Sequence, residues 1–322
     1  MKAKTVTHDN PRDIEAPAAA AKKSALQLVA AMPRLVLEAR RVAASVFHGL
    51  HGRRRAGSGE NFWQYRRFHS GEPASRVDWR RSGRDDHLYV REREWEAAHT
   101  VWIWPDHSAS MAFASPLVWE TKRDRALVLA FALGELLVRG GERVGIPGAM
   151  RPTANRAVIE LMAEAIIHEV GAPESLPPTF VAGPRDEICM LGDLWSPIAT
   201  VTASIASLSS NGAGGHVVQI VDPAEETFPY SGRIEFLEPE GAGSITVGRA
   251  ETWRADYVGR VTLHREAIRE EASRHGWGFV VHRTDRPASE LLLALRTRMG
   301  ETRDVIAHRR TSLALPESEA AA

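Results

Sequence analysis

The chain carries a single cysteine, Cys189, among 322 residues. It cannot close an internal disulfide, so a disulfide-stapled scaffold is excluded and a reducing cytosol is the expected compartment. An excess of charge of either sign is also missing: 41 Lys and Arg balance 41 Asp and Glu. Global electrostatics therefore gives no argument for a nucleic acid or a membrane surface as partner. No run reaches the roughly 18 apolar residues of a membrane span. The longest apolar-leaning stretches, Ala126–Val138 and Ala157–Ile167, are interrupted by polar groups in helical fashion. The first residues, MKAKTVTHDNPRDIEAP, lack the apolar core of a secretory signal. There is no Gly-x-x-x-x-Gly-Lys phosphate loop and no Gly-x-Ser-x-Gly nucleophile elbow. What is present is ordinary for a globular protein: 43% hydrophobic and 25% charged residues, in a length that suits one large domain or two.

Residues 1–23 are polar and Ala-rich and read as a flexible tail. Residues 24–96 form an N-terminal extension. Its first part, Ser24–His48, repeats Leu26, Val29, Leu35, Val42 and Val46 at helical spacing, with Pro33 expected to kink or split the helix. Its second part interleaves arginines (Arg53–Arg55, Arg66, Arg67, Arg80, Arg81) with aromatics (Phe62, Trp63, Tyr65, Trp79, Tyr89). Such a mixture can bind single-stranded nucleic acid. Acids such as Glu72, Asp78 and Glu92 blunt that field, and Arg–aromatic packing within a folded hairpin is the favoured reading.

From residue 97 to 300, short apolar strands alternate with amphipathic helices. Strands fall at Val101–Trp104, Glu142–Ala149, Asp186–Leu194, His216–Val221 and Trp277–His282, with hairpin-like strands at Arg233–Leu237 and Ser244–Val247. Helices fall at Arg123–Arg139, Asn155–His168, Pro197–Ser209, Leu263–His275 and Ala288–Met299. This alternation predicts an α/β fold with a doubly wound, mostly parallel sheet. Residues 301–322 read as a second flexible tail.

The chain is organised around Val101–Met111, VWIWPDHSASM. A buried strand is expected to end at Pro105, which has no N–H to donate. Asp106, Ser108 and Ser110 follow at once. In open α/β sheets ligands bind at the carboxyl edge, and a carboxylate with two hydroxyls suits Mg²⁺ (or Mn²⁺), which takes oxygen ligands and keeps several waters. Helix capping is the competing role for Asp and Ser at such a point. Thr153, before a helix, and Asp193, after the third strand, are candidates to join the site. Asp222 also ends a strand, where capping is the better reading; His107 is expected to point away from a metal, and His48 and His51 lack further zinc ligands.

Asp106-x-Ser108-x-Ser110 with Thr153 and Asp193 resembles the metal-ion-dependent adhesion site of von Willebrand factor A domains. Gly57–Arg66, Gly71–Arg80 and Leu88–Glu92 narrow the resemblance to the bacterial family known as domain of unknown function 58. Glu72 stands where that family commonly has Asp, Gly83 where it commonly has Ala, and the membrane helices that precede this block in many relatives are not seen here. The resemblance implies a von Willebrand factor A-like domain that binds rather than catalyses. It also implies a MoxR-type AAA+ ATPase and an unknown client as partners. The expectation is thus a cytoplasmic, metal-dependent protein-interaction module. The alternatives are a metal-dependent hydrolase or phosphotransferase at the same edge, and nucleic-acid binding by the Arg/aromatic segment.

Overall fold

The computed structural model describes residues 2–5, 17–51, 64–69, 72–84, 86–92, 99–169, 174–238 and 243–299. The expected C-terminal tail, Arg53–Arg55, Phe62 and Trp63 lie outside the described residues.

The chain opens with β1 (Lys2–Thr5), the long helix α1 (Pro17–His51) and β2 (Gln64–Arg67). After β2 come a one-turn helix α2 (Trp79–Ser82) and β3 (Tyr89–Glu92). The body then runs β4 (Thr100–Pro105), α3 (Lys122–Arg139), β5 (Arg143–Ile146), β6 (Met150–Thr153), α4 (Val158–Ile167), β7 (Glu187–Gly192), α5 (Ile198–Ser209) and β8 (Gly214–Val221). It continues with α6 (Pro223–Thr227), β9 (Ile234–Leu237), β10 (Ser244–Val247), α7 (Arg254–Arg274) and β11 (Gly278–Arg283), and a helix α8 over residues 288–299.

The main sheet has six strands in the order β11-β8-β7-β4-β5-β6. All neighbours are parallel except β5 and β6, so the doubly wound, mostly parallel expectation holds. Strand residues alternate between two cores, as the pleat requires. Val101, Ile103, Cys189, Leu191, Val218 and Ile220 share one core with α1, α3, α4 and α8. Ile188, Met190 and Val217 face α5 and α7. The central helix α3 is buried along nearly its whole length, because the sheet covers one side of it and α1 and α4 cover the other. Thr121 caps its start by accepting from the Asp124 N–H at 3.0 Å, and Gly140 and Gly141 end it, the latter at φ +90°.

The stripe on the N-terminal helix is core, as an amphipathic stripe usually is: Leu28, Met32, Leu35, Ala39, Ala43 and Val46 of α1 share the main core. Three sequence expectations change. Pro33 does not split α1 into two elements; it lies on the exposed face, where the carbonyl that loses its partner meets water. Lys2–Thr5, placed by composition in a tail, pair antiparallel with β9 in a second sheet, β1-β9-β10, because the edge of β9 offers them backbone hydrogen bonds. Pro105 does not end strand pairing, since it stays in register with Leu191. The Asp106 N–H bonds to Leu191 O at 2.7 Å, so the nitrogen of Pro105 faces β5, whose ladder with β4 has already ended at Trp102. No ladder bond is lost.

Candidate functional site

The parallel register brings three strand ends to one edge. Pro105 pairs with Leu191 and Leu191 with Val218, so Asp106, Gly192 and Gln219 sit side by side. Gly192 permits this close approach: a Cβ there would lie 2.9 Å from the Asp106 Cβ. Beyond Pro105 the chain turns into a short 3₁₀ helix, Ala109–Ala112. The Ser108 N–H donates to Asp106 Oδ1 at 2.8 Å, and the Ser108 and Ser110 hydroxyls lie 3.2 Å apart. The other carboxylate oxygen, Asp106 Oδ2, is buried with no hydrogen-bond partner.

Asp193 is held from several sides. The Gln219 side-chain amide donates to its carbonyl at 3.0 Å, and the Trp195 N–H approaches its Oδ1 at 3.3 Å. Leu194 follows in the left-handed region at φ +55°, and its carbonyl accepts from His264 Nε2 at 2.7 Å. A left-handed, γ-branched residue stores strain, here at the turn that carries the acid. Asp193 Oδ2 accepts from Lys122 Nζ at 2.8 Å, and the same ammonium donates to Glu225 Oε1 at 2.6 Å. Lys122 is fully buried.

The two aspartates are driven in opposite directions. Burial, and then the neighbouring charge of Asp193, push the Asp106 carboxyl up to about 8, against the pull of its bonds to Ser108. Burial would raise Asp193 as well, but the Lys122 ammonium and the bonds from Lys122, Ser110 and Trp195 outweigh it and hold it below the usual carboxylate range. Asp193 and Glu225 in turn hold Lys122 above the ordinary lysine value despite its burial.

Asp106, Ser108, Ser110 and Asp193 are therefore brought together, and Thr153 is not. Thr153 pairs with Val144, which pairs with Val101 at the opposite end of β4. Five residues of strand separate Val101 from Asp106, about 16 Å at the usual rise. The periodic reading missed the antiparallel strand β6, which returns the chain to the amino edge; Thr153 Oγ1 there accepts from the Asn155 N–H. Ser175, in the loop after α4, instead lines the same cleft as Ser110 and Asp193. That cleft, about 830 Å³, is walled by Trp195, Tyr257 and Arg260.

Lys122, Glu225 and Gln219 were not legible as site residues: no motif marks Lys122 or Gln219 as facing the aspartates, and the capping-box spacing of Glu225 from Asp222 signals a helix start rather than a site. Asp222 is a helix cap, as expected. It accepts from the Ala224 and Ser115 N–H groups, both at 2.8 Å. His107 turns to Glu169, 2.6 Å away, and to the Pro105 carbonyl at 3.0 Å. In the Arg/aromatic segment, Arg81 lies over the rings of Tyr89 and Tyr65, at 4.6 and 5.9 Å, and donates its backbone N–H to Asp78. This is internal packing of the kind expected.

The donor set fits a hard divalent cation: a buried carboxylate oxygen without a partner beside two hydroxyls. Among the described residues no three His, Cys, Asp or Glu side chains converge as a metal shell, so any ion here would depend on hydroxyls and water. Asp106, Ser108 and Ser110 would hold it, and it would supply a charge for the orphaned Asp106 oxygen. Also among the described residues, no helix is long and apolar enough to cross a membrane.

Comparison with known proteins agrees with where the motif lies. Two uncharacterized proteins, Mb1516 of Mycobacterium bovis and Rv1480 of Mycobacterium tuberculosis, are each 31% identical over 119 residues, covering 37% of this chain and 37% of the relative. The chain thus spans little more than a third of the curated relatives it matches. The crystal structure of the conserved hypothetical protein BatB from Bacteroides thetaiotaomicron is similar over 63% of this chain and 100% of that one, at 15% identity and a TM-score of 0.34, too loose to argue from. Residues 64–163 match the family described as protein of unknown function DUF58, and that stretch holds Asp106, Ser108, Ser110 and Lys122 but not Asp193 or Glu225.

Proposed function

We propose that this chain is a von Willebrand factor A-like interaction module whose strand-edge site takes Mg²⁺ or Mn²⁺ and docks a protein partner. The observation that carries the reading is the buried, unpartnered Asp106 Oδ2 beside the Ser108 and Ser110 hydroxyls. A buried carboxylate oxygen without a partner is costly, and a bound cation removes that cost. The sheet order, with an antiparallel edge strand next to the strand that follows α3, supports the von Willebrand factor A-like assignment. Binding rather than turnover is favoured because His107 is engaged by Glu169 and the Pro105 carbonyl, and Asp193, the carboxylate bonded to Ser110, is held by the Lys122 ammonium. A MoxR-type AAA+ ATPase as partner, with an unknown client, is the part of the proposal that rests on family resemblance alone.

The test is thermal unfolding of the full chain in EDTA and in millimolar Mg²⁺, Mn²⁺ or Ca²⁺, for wild type and Ser110→Ala. An ion at ~100 times its dissociation constant stabilises by about 2.7 kcal/mol. The expected result is a raised midpoint with Mg²⁺ or Mn²⁺ that Ser110→Ala loses. A wild-type midpoint that no divalent ion moves would sink the reading.

A further inference from the structure

The ammonium of Lys122 is a charge that the adhesion-type reading does not require. It projects from the first turn of α3, where the helix dipole disfavours a cation, and it is fully buried. Two carboxylates make the placement favourable: Asp193 Oδ2 at 2.8 Å and Glu225 Oε1 at 2.6 Å. Glu225 is itself fixed, because its other oxygen accepts from the Asp222 N–H at 2.9 Å in the capping box of α6. Lys122 therefore ties the start of α3 to the ends of β7 and β8. It occupies the Asp193 oxygen that would otherwise be free to bond an ion, while Asp106 Oδ2 stays without a partner.

We propose that Lys122 is the resident cation of this site: it holds Asp193 and Glu225 in the role of a metal, confines a divalent ion to Asp106, Ser108 and Ser110, and so sets a low affinity for that ion. The proposal rests on the metal-binding reading above and goes beyond it by naming the residue that tunes affinity. Removing the ammonium leaves the Asp193 and Glu225 oxygens that it bonded without their cation. Metal affinity then rises, and the folded state becomes dependent on metal.

The experiment is calorimetric titration with Mn²⁺, alongside unfolding midpoints in EDTA and in Mn²⁺, for wild type, Lys122→Met and the double variant Lys122→Met/Glu225→Gln. The double variant removes one charge of each sign, so it frees the Asp193 oxygen without changing the net charge of the site, and it serves if the single variant does not fold. Loss of a positive charge next to a dication is expected to tighten Mn²⁺ binding by on the order of tenfold or more in Lys122→Met. A smaller tightening is expected in the double variant. The midpoint of Lys122→Met in EDTA falls below that of wild type, and Mn²⁺ raises it by more than it raises the wild type. Wild-type binding with equal or weaker affinity in both variants would overturn the role of Lys122 and leave the metal reading intact. Absence of Mn²⁺ binding in all three proteins would overturn both. Binding in the variants but not in wild type would overturn the weak site at Asp106, Ser108 and Ser110, and with it the proposal.

Discussion

His282 shows how one buried side chain sets a pH response. It lies on β11 among core residues, and its Nε2 has no hydrogen-bond partner. Burial, and then the nearby Arg125 cation, pull its pKa down to about 4, against the opposing charge of Asp285. The folded value is below the unfolded one, near 6.5, so the unfolded chain takes up the proton first as pH falls. Stability from keeping this imidazole neutral is present above about pH 6.5 and is lost between there and about pH 4, on the order of 3 kcal/mol in all. The difference between the urea-unfolding free energies of wild type and His282→Gln, measured from pH 7.5 to pH 4, should therefore shrink with acidification. Parallel profiles would mean that other groups carry the acid sensitivity. Asp106 has the opposite sign, since its folded pKa is raised: without a cation its cost grows as pH rises from about 4 toward 8.

Among the elements, the contact of β4 with β7 decides whether the site exists. Gly192 ends β7, and a Cβ on it would stand 2.9 Å from the Asp106 Cβ and 3.1 Å from Asp106 Oδ2. Backbone and a short side chain cannot yield as a long side chain does. Gly192→Ala should destabilise the fold by about 1–3 kcal/mol through overpacking. It should also move the Asp106 carboxylate enough to abolish any metal-dependent rise in the unfolding midpoint. Chemical denaturation with and without Mn²⁺ reads both effects, and an unchanged midpoint together with unchanged metal response would remove Gly192 from the account. Gly145, where a Cβ would meet the Trp102 ring at 2.8 Å, plays the same packing role on the far side of β4 without touching the site.

For the whole molecule, the family-matched stretch is not a folding unit. Residues 64–163 supply only β4, β5 and β6 of the six-stranded sheet. They leave out β7, β8 and β11, together with α1, whose Leu28, Met32, Leu35 and Ala39 complete the main core. A fragment of residues 64–163 would expose the β7-facing edge of β4 and the α1-facing side of α3, both buried in the full chain. It should lack a cooperative unfolding transition by circular dichroism, whereas residues 17–299 should retain one. A cooperative transition in the short fragment would show that the core divides in a way its contacts do not suggest.

The sequence by itself determined the alternation of strands and helices, the doubly wound sheet, the start and stop of α3, and the Asp106, Ser108 and Ser110 loop. Each is a local signal: periodicity, a Gly pair, a five-residue motif behind an apolar run. It also read Asp222 as a cap from its place at a strand end. Only the tertiary structure decided what stands around the motif. Thr153 was misplaced because the short strand β6 has no clear period, and its antiparallel course sends the residue to the other edge of the sheet. Lys122 reaches Asp193 and Glu225 across 71 and 103 residues of chain, through the register of β7 and β8. Register is set by the pairing of whole strands and carries no signature in the residues it brings together.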